Sequence, residues 1–303
     1  MKTISPLTLG TVQLGMNYGI SNANGQPDEQ RAFEILSCAL AGGITSLDTA
    51  RAYGTAEEVL GAFFKTYSGD IPYITTKIPR IPEGVNAEKF VIDSVECSLE
   101  KLGLKKVDNV MLHSAPDVVK YGKPLANVMG KLVKMGYANQ VGVSVYTAED
   151  IENFLAFDEY TTTQIPMSIF DQRLIATGTV AKLRERNVTV FVRSVFLQGL
   201  FFLEPGKIEE PILQKYAVEY IRLLREVAKS ENMSVAELAI SFIRDTLGVT
   251  SLVLGAETPK QIEENILAVA APAISESTRK MLEEKFACVN IPEIMKVLSR
   301  PKN

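Results

Sequence analysis

The stretch Ser46–Glu58, "SLDTARAYGTAEE", decides the fold because it crosses three kinds of local structure in one short span. It begins as a β-rich run, bends at Gly54, and enters a helical pattern at Glu57-Glu58. An acid, Asp48, stands at the strand end, and a phenol, Tyr53, follows five residues later. Either this is an ordinary strand–loop–helix unit, or the pair belongs to a chemical group completed by later segments.

The same unit recurs in both directions. Strand candidates are Thr8–Val12, Ser46–Ala50, Tyr73–Ile78, Asn109–His113, Gln140–Val145, Thr162–Ser168, Thr189–Val195 and Ser251–Leu254. Runs such as "VTVFVRSVFL" and "TSLVLGA" are nearly continuous apolar segments, as parallel strands covered on both faces require. Helical patterns separate them. One opens at Asp28 and closes at Gly42-Gly43; others cover Glu57–Phe64, Ala87–Leu102, Leu125–Met135, Glu149–Leu155, Leu174–Arg186 and Tyr216–Lys229. A second consecutive helix, Ser234–Thr246, precedes the last strand. After it, Thr258-Pro259-Lys260-Gln261 opens a helix with capping-box spacing, and Glu276–Phe286 ends the fold. Eight alternations without a composition break predict the α/β class and a single (β/α)8 TIM barrel over residues 1–303, with a loose tail from 298 to 303. A doubly wound open sheet fits less well, because "LGTVQLG" after the first strand lacks GxGxxG spacing.

Composition excludes several function classes. A net charge of -4 and the lack of a Lys/Arg block give no electrostatic case for nucleic acid. No signal peptide is read in Met1–Leu9, and no apolar run reaches the ~20 residues that span a bilayer, so no membrane partner is expected. The single histidine rules out a multi-histidine metal site, and no metal is expected. Cys38, Cys97 and Cys288 read as small buried hydrophobes on helices in a reducing cytoplasm.

In a barrel of this kind the functional face lies at the carboxyl ends of the strands. Asp48, Tyr53, Lys77 and His113 fall there. Each alone has a plain reading: a turn cap, a packing ring, a solvated strand end, a hydrogen-bonded core histidine. Together they compose a proton donor. A phenol titrates near pH ~10, a nearby ammonium stabilises its phenolate, and a carboxylate holds the ammonium in place. An imidazole beside it orients a carbonyl oxygen. The group lacks an electron pair to give, so a hydride-carrying cofactor is required.

The sequence resembles the bacterial-type members of the aldo-keto reductase family over nearly the whole chain. The motifs are "LGTVQLG" (Leu9–Gly15), "LDTARAYGTAEEVLG" (Leu47–Gly61), "TTKI" (Thr75–Ile78), "LHS" (Leu112–Ser114), "VGVSV" (Val141–Val145), "TQIPMSIFDQ" (Thr163–Gln172) and "LGAETPKQIEENI" (Leu254–Ile266). The resemblance implies a barrel in which NAD(P)H gives hydride to an aldehyde or ketone, or takes it back from an alcohol. It assigns Tyr53 as general acid/base, Asp48 and Lys77 as its tuning pair, and His113 as the carbonyl-orienting residue.

For the cofactor, it implies that Ser144 and Gln164 hold the nicotinamide carboxamide, with Val145 where many members have Asn. Arg193, beside Ser194, stands where many members stack an aromatic ring. It stacks there in the ring's place or forms an ion pair at the rim. At the last strand turn, Gly255, Ala256, Glu257, Gln261 and Asn265 replace the Lys, Ser and Arg that hold a 2′-phosphate in many members. Gln261 is also the capping partner of Thr258, and Asn265 also reads as a solvated helix residue. Glu257 repels a 2′-phosphate, so NADH is expected to serve at least as well as NADPH. Met16, Asn17, Tyr18 and Phe196 are the expected pocket for a small polar carbonyl or a sugar. The family is often monomeric, and no exposed apolar stripe calls for more than a monomer or weak homo-oligomer.

Two other functions compete. A catalytically silent nucleotide-binding barrel, acting as a regulatory or partner-binding subunit, has no need of all four polar residues. A lyase or isomerase with a Schiff base on Lys77 needs a desolvated lysine without a carboxylate partner.

Overall fold

The computed structural model describes residues 2–22 and 25–300. Eight short strands carry the chain's densest apolar runs: β1 (Leu7–Gly10), β2 (Ser46–Asp48), β3 (Tyr73–Ile78), β4 (Val107–Leu112), β5 (Ala138–Ser144), β6 (Thr162–Pro166), β7 (Thr189–Arg193) and β8 (Ser251–Gly255). All neighbours pair in parallel and β1 pairs with β8, which closes the barrel in chain order.

One parity of every strand faces inward, and its residues are unusually polar for a barrel. Thr8 Oγ1 lies 2.7 Å from both Ser46 Oγ and Ser251 Oγ, tying β1 to its two neighbours. Asn109 donates to Thr75 Oγ1 at 3.2 Å and accepts from Thr162 Oγ1 at 2.8 Å, linking β3, β4 and β6. These hydroxyls and this amide therefore have partners away from water, which buried polar groups require. Tyr73, Met111 and Phe191, with Ile4 and Val253, form a small apolar plug in the same interior. The outward parity merges with the helices into the main core.

The helices are α1 (Val12–Gly15), α2 (Glu29–Ala41), α3 (Ala56–Thr66), α4 (Ala87–Leu102), α5 (Ala115–Lys134), α6 (Ala148–Leu155), α7 (Arg173–Ala176), α8 (Thr179–Glu185), α9 (Pro211–Tyr216), α10 (Val218–Ser230), α11 (Val235–Arg244), α12 (Pro259–Val269), α13 (Glu276–Phe286) and α14 (Ile291–Leu298). Local chemistry sets their ends. Asp28 accepts from Arg31 N at the start of α2, Asn86 accepts from Lys89 N at α4, and Gly103 ends α4 at φ +67°.

The structure departs from the sequence reading in several places. The helix expected at Leu125–Met135 begins at Ala115, because the chain resumes its helix after a kink at Gly122 and Pro124. Leu174–Arg186 is two helices, separated by Gly178 at φ +69°. The fold does not end at Phe286: α14 follows, and Leu298 is buried. Arg300, itself exposed, pairs with Glu210 at 3.2 Å. The remainder of the expected tail, 301–303, lies outside the described residues, as do 23 and 24 of the first loop. Cys38 and Cys97 are half-buried on α2 and α4, whereas Cys288 is exposed in the turn before α14. No described helix is long and apolar enough to cross a membrane.

Candidate active site

Inward alternation along β2 and β3 aims Asp48 and Lys77 at one point. Lys77 Nζ donates to Asp48 Oδ1 at 2.6 Å and Oδ2 at 2.7 Å, and to Thr49 O at 3.1 Å. Lys77 is fully buried, and Asp48 is 3% exposed. Gln164 Nε2, from β6 across the barrel, donates to Asp48 Oδ1 at 2.9 Å. Tyr53 Oη lies 3.3 Å from Lys77 Nζ, and the ammonium sits 4.9 Å from the phenol ring centroid. His113, just past β4, meets that ring edge-to-face at 5.7 Å. The four residues singled out in sequence thus meet at the carboxyl end of the barrel.

Two glycines put the phenol there. The turn after β2 is held by Tyr53 N to Ala50 O and by Thr55 N to Gly15 O. A Cβ on Gly15 would stand 1.9 Å from Tyr53 O, and one on Gly54 would stand 2.2 Å from Gly15 O. Only glycine at both positions lets α1 lie against this turn, and Gly54 also needs its φ of +56°. Glu57, buried at the start of α3, accepts from Thr76 Oγ1 at 2.6 Å and so ties the turn to the strand carrying Lys77. Sequence reading gave Glu57 only a helix start.

The electrostatics differ from the expectation in one respect. The Tyr53 phenol is pushed well up, not down, by burial first and by the Asp48 carboxylate second, with Arg193 opposing. Burial prevails because both oxygens of Asp48 lie on the Lys77 ammonium and offset the positive charge that would otherwise hold the phenol down. Burial likewise pulls the Lys77 amine down, against the support of Asp48. His113 is held at about 3 by burial and then by the positive charges of Lys77 and Arg193. Its imidazole is therefore neutral at physiological pH.

This neutrality sets a pH dependence. Below pH ~6.5 the unfolded chain protonates the imidazole and the folded protein does not, so acidification costs stability. The slope is at most about 1.4 kcal/mol per pH unit, running down toward the folded value. His113→Gln should flatten the fall of Tm between pH 6.5 and 4.5. An unchanged acid slope would show that the imidazole is not held neutral.

Tyr53, Asp48, Gln164 and Arg193 border a cavity of about 420 Å³ that runs to the β8 turn. Tyr18, Ser194 and Phe196 line it near the phenol; Gly255, Glu257, Gln261 and Asn265 line its other end. Met16 and Asn17 do not, and both are exposed. Ala256 is buried behind the wall. The Gln261 side chain accepts from Glu257 N at 2.7 Å, while its own N–H caps onto Thr258 Oγ1, so the expected reciprocal bond to Thr258 is displaced by one residue.

Ser144 Oγ is buried without a hydrogen-bond partner, in register with Gln164. Such an orphaned hydroxyl suits the carboxamide of a nicotinamide. Gln164 has already given one amide hydrogen to Asp48, which leaves its carbonyl for that role. Gly255 lets the Gln13 side chain lie against the β8 end, since a Cβ there would stand 2.3 Å from its amide. These residues fit a nicotinamide dinucleotide. Among the described residues no group of three or more His, Cys, Asp or Glu side chains could hold a metal.

Arg193 makes no rim ion pair among the described residues. Its guanidinium stacks 4.2 Å above the Tyr146 ring, and its hydrogen bonds to Ser194 Oγ and Val145 O are long, at 3.4 Å. Tyr146 and Gln13 were missed in the sequence; an aromatic directly after a strand end was the available signal for Tyr146.

The chain is 27% identical to "Aldo-keto reductase YhdN" of Bacillus subtilis, covering 79% of this chain and 78% of that protein. It is 25% identical to the L-glyceraldehyde 3-phosphate reductase of Escherichia coli K12, covering 93% and 90%. The fold superposes on aldo-keto reductase AKR11C1 from Bacillus halodurans (holo form) with a TM-score of 0.76, at 24% identity, covering 93% and 92%. The model of the Aldo/keto reductase family matches residues 6–286, from the segment before β1 to the end of α13. The chain therefore belongs to the aldo/keto reductase family, whose members are oxidoreductases that use NAD(P)H.

Proposed function

We propose that this protein reduces a small polar aldehyde or ketone, or an open-chain sugar, to its alcohol, with Tyr53 as the proton donor. The observation that carries the reading is the Lys77 ammonium lying between both oxygens of Asp48 and the Tyr53 hydroxyl. The bound nicotinamide supplies the hydride. At neutral pH the raised phenol keeps its proton until a carbonyl oxygen needs it. The neutral His113 N–H orients that oxygen beside the phenol. Once the proton is given, the phenolate is stabilised by Lys77 at 3.3 Å and is later reprotonated from solvent. Ser144 and Gln164 would hold the carboxamide, and Gly255 and Asn265 border the end of the cavity that would take the rest of the cofactor.

NADH is proposed to serve at least as well as NADPH. Glu257 and Glu264 both border the far end of the cavity, and the only cation on its described wall is Arg193, at the opposite end. Lys260 is already 3.7 Å from Glu264. A carboxylate near a 2′-phosphate costs about 1 kcal/mol at a solvated site. Loss of cofactor absorbance over a panel of aldehydes, ketones and aldoses tests both parts. Some carbonyl in the panel should be turned over, with kcat/KM for NADH equal to or above that for NADPH. Glu257→Gln should raise kcat/KM with NADPH by about fivefold and leave NADH unchanged. A preference for NADPH by orders of magnitude in the unsubstituted protein would sink the cofactor assignment.

A further inference from the structure

The end of the cavity that holds the proton donor carries one positive charge that no carboxylate among the described residues balances. Asp48 is fully engaged by Lys77, and His113 is neutral. Arg193, the last residue of β7, contacts a hydroxyl and a carbonyl through its two long hydrogen bonds, and an aromatic face, but no carboxylate among the described residues. Tyr146 covers one side of the guanidinium, and Arg193 contributes to the cavity wall. Its charge reaches the chemistry, since it acts on Tyr53, Lys77 and His113 alike.

We propose that Arg193 makes this site discriminate the redox state of its cofactor, holding the neutral reduced nicotinamide more tightly than the cationic oxidised one. The inference rests on the reductase reading above. A carbonyl oxygen hydrogen-bonded by Tyr53 fixes where hydride is delivered, and reacting atoms must come within about 3.5 Å. The nicotinamide ring must therefore occupy the end of the cavity that Arg193 borders. Reduced, that ring is neutral; oxidised, it brings a second positive charge beside an unbalanced guanidinium. The aromatic ring that many relatives are expected to place here attracts a cation through its face, whereas a guanidinium repels it. At a separation of several ångströms in a partly buried site, the repulsion corresponds to about 10- to 100-fold in affinity.

Each tenfold preference raises the potential of the bound couple by about 30 mV. Two consequences follow. The protein stays loaded with reduced cofactor even when the oxidised form is in excess, and oxidised cofactor leaves quickly after turnover. Arg193 is thus a specificity-determining residue that biases the enzyme toward reduction.

Fluorescence titration of NADH and NADPH, with competition by NAD+ and NADP+, measures the four dissociation constants without any substrate. In the unsubstituted protein the reduced form should bind at least tenfold more tightly than its oxidised partner. Arg193→Met should lower that ratio by about tenfold, mainly by tightening the oxidised form. Arg193→Lys, which keeps the charge and loses the planar stack on Tyr146, should retain most of it. Arg193→Gln supplies the uncharged comparison should the methionine variant fail to fold. Equal loss of affinity for both forms in the uncharged variant, or a ratio that falls as far in Arg193→Lys, would mean that Arg193 only packs and overturns the inference alone. Binding of neither form to the unsubstituted protein overturns the reductase reading and the inference with it.

Discussion

Tyr53→Phe is expected to lower kcat for carbonyl reduction by about a thousandfold, while the dissociation constant for reduced cofactor stays within about twofold. The factor is the usual worth of a positioned general acid, between about 10² and 10⁴. The substitution removes one oxygen and little else. The ring keeps its edge-to-face contact with His113, and Lys77 keeps both oxygens of Asp48 and the carbonyl of Thr49. Because Lys77 loses only its 3.3 Å contact, the buried pair and the fold should survive, and Tm should move by no more than a few degrees. A variant that binds cofactor and turns over near the unsubstituted rate would remove Tyr53 from the mechanism. Trapping of substrate on Lys77 by borohydride would then point to imine chemistry, which the present bidentate contact with Asp48 opposes.

Much of this site was legible because it is built from inward positions at strand ends, and period-two alternation reveals those directly. The segment "YITTKI", between Pro72 and Pro79, gave β3 its bounds and Lys77 its place. The five-residue step from Asp48 to Tyr53 leaves the Lys77 ammonium room to stand between carboxylate and phenol. Other parts depend on side chains that meet only in three dimensions. Gln164 reaches Asp48 across the barrel, and Arg193 on β7 lies on Tyr146 from the loop after β5. Neither partner is marked by local spacing, and β5 lies two strands from β7. The direction in which the Tyr53 phenol shifts depends on burial, which outweighs the ammonium that sequence reasoning counted on. The missed α14 is a different case. Asn290, Pro292 and Glu293 carry an N-terminal signature, with Asn290 accepting from Glu293 N, but the helix is only eight residues long and its polar flank resembles a tail.

Lys77→Met and Asp48→Asn should each destabilise the protein by about 3–5 kcal/mol, with opposite dependence on pH. Either change strands a buried charge whose partner has gone. The cost is capped by the alternative of neutralising it. At pH 7, protonating a lone aspartate from its ordinary value costs about 4 kcal/mol, and deprotonating a lone lysine costs about 4.6 kcal/mol. In Lys77→Met, burial raises the Asp48 carboxyl above its unfolded value, and Gln164 alone remains to support the charge. A raised group stabilises the folded state as pH falls, so the deficit of Lys77→Met shrinks on acidification toward pH 5. In Asp48→Asn, Lys77 loses the support that opposes its burial and its value falls further. A depressed lysine loses stability as pH falls, so this deficit shrinks on going toward pH 9 instead. The double variant strands no charge. Its new amide oxygen on β2 still accepts from Gln164, and the thioether chain on β3 fills the space of the lysine stem. Urea unfolding should return it to within about 2 kcal/mol of the unsubstituted protein. Its turnover should not return, because the phenolate formed on Tyr53 then has no ammonium within reach. Additive losses in the double variant would show that the two side chains are not a coupled ion pair. Recovered turnover would separate that pair from the chemistry altogether.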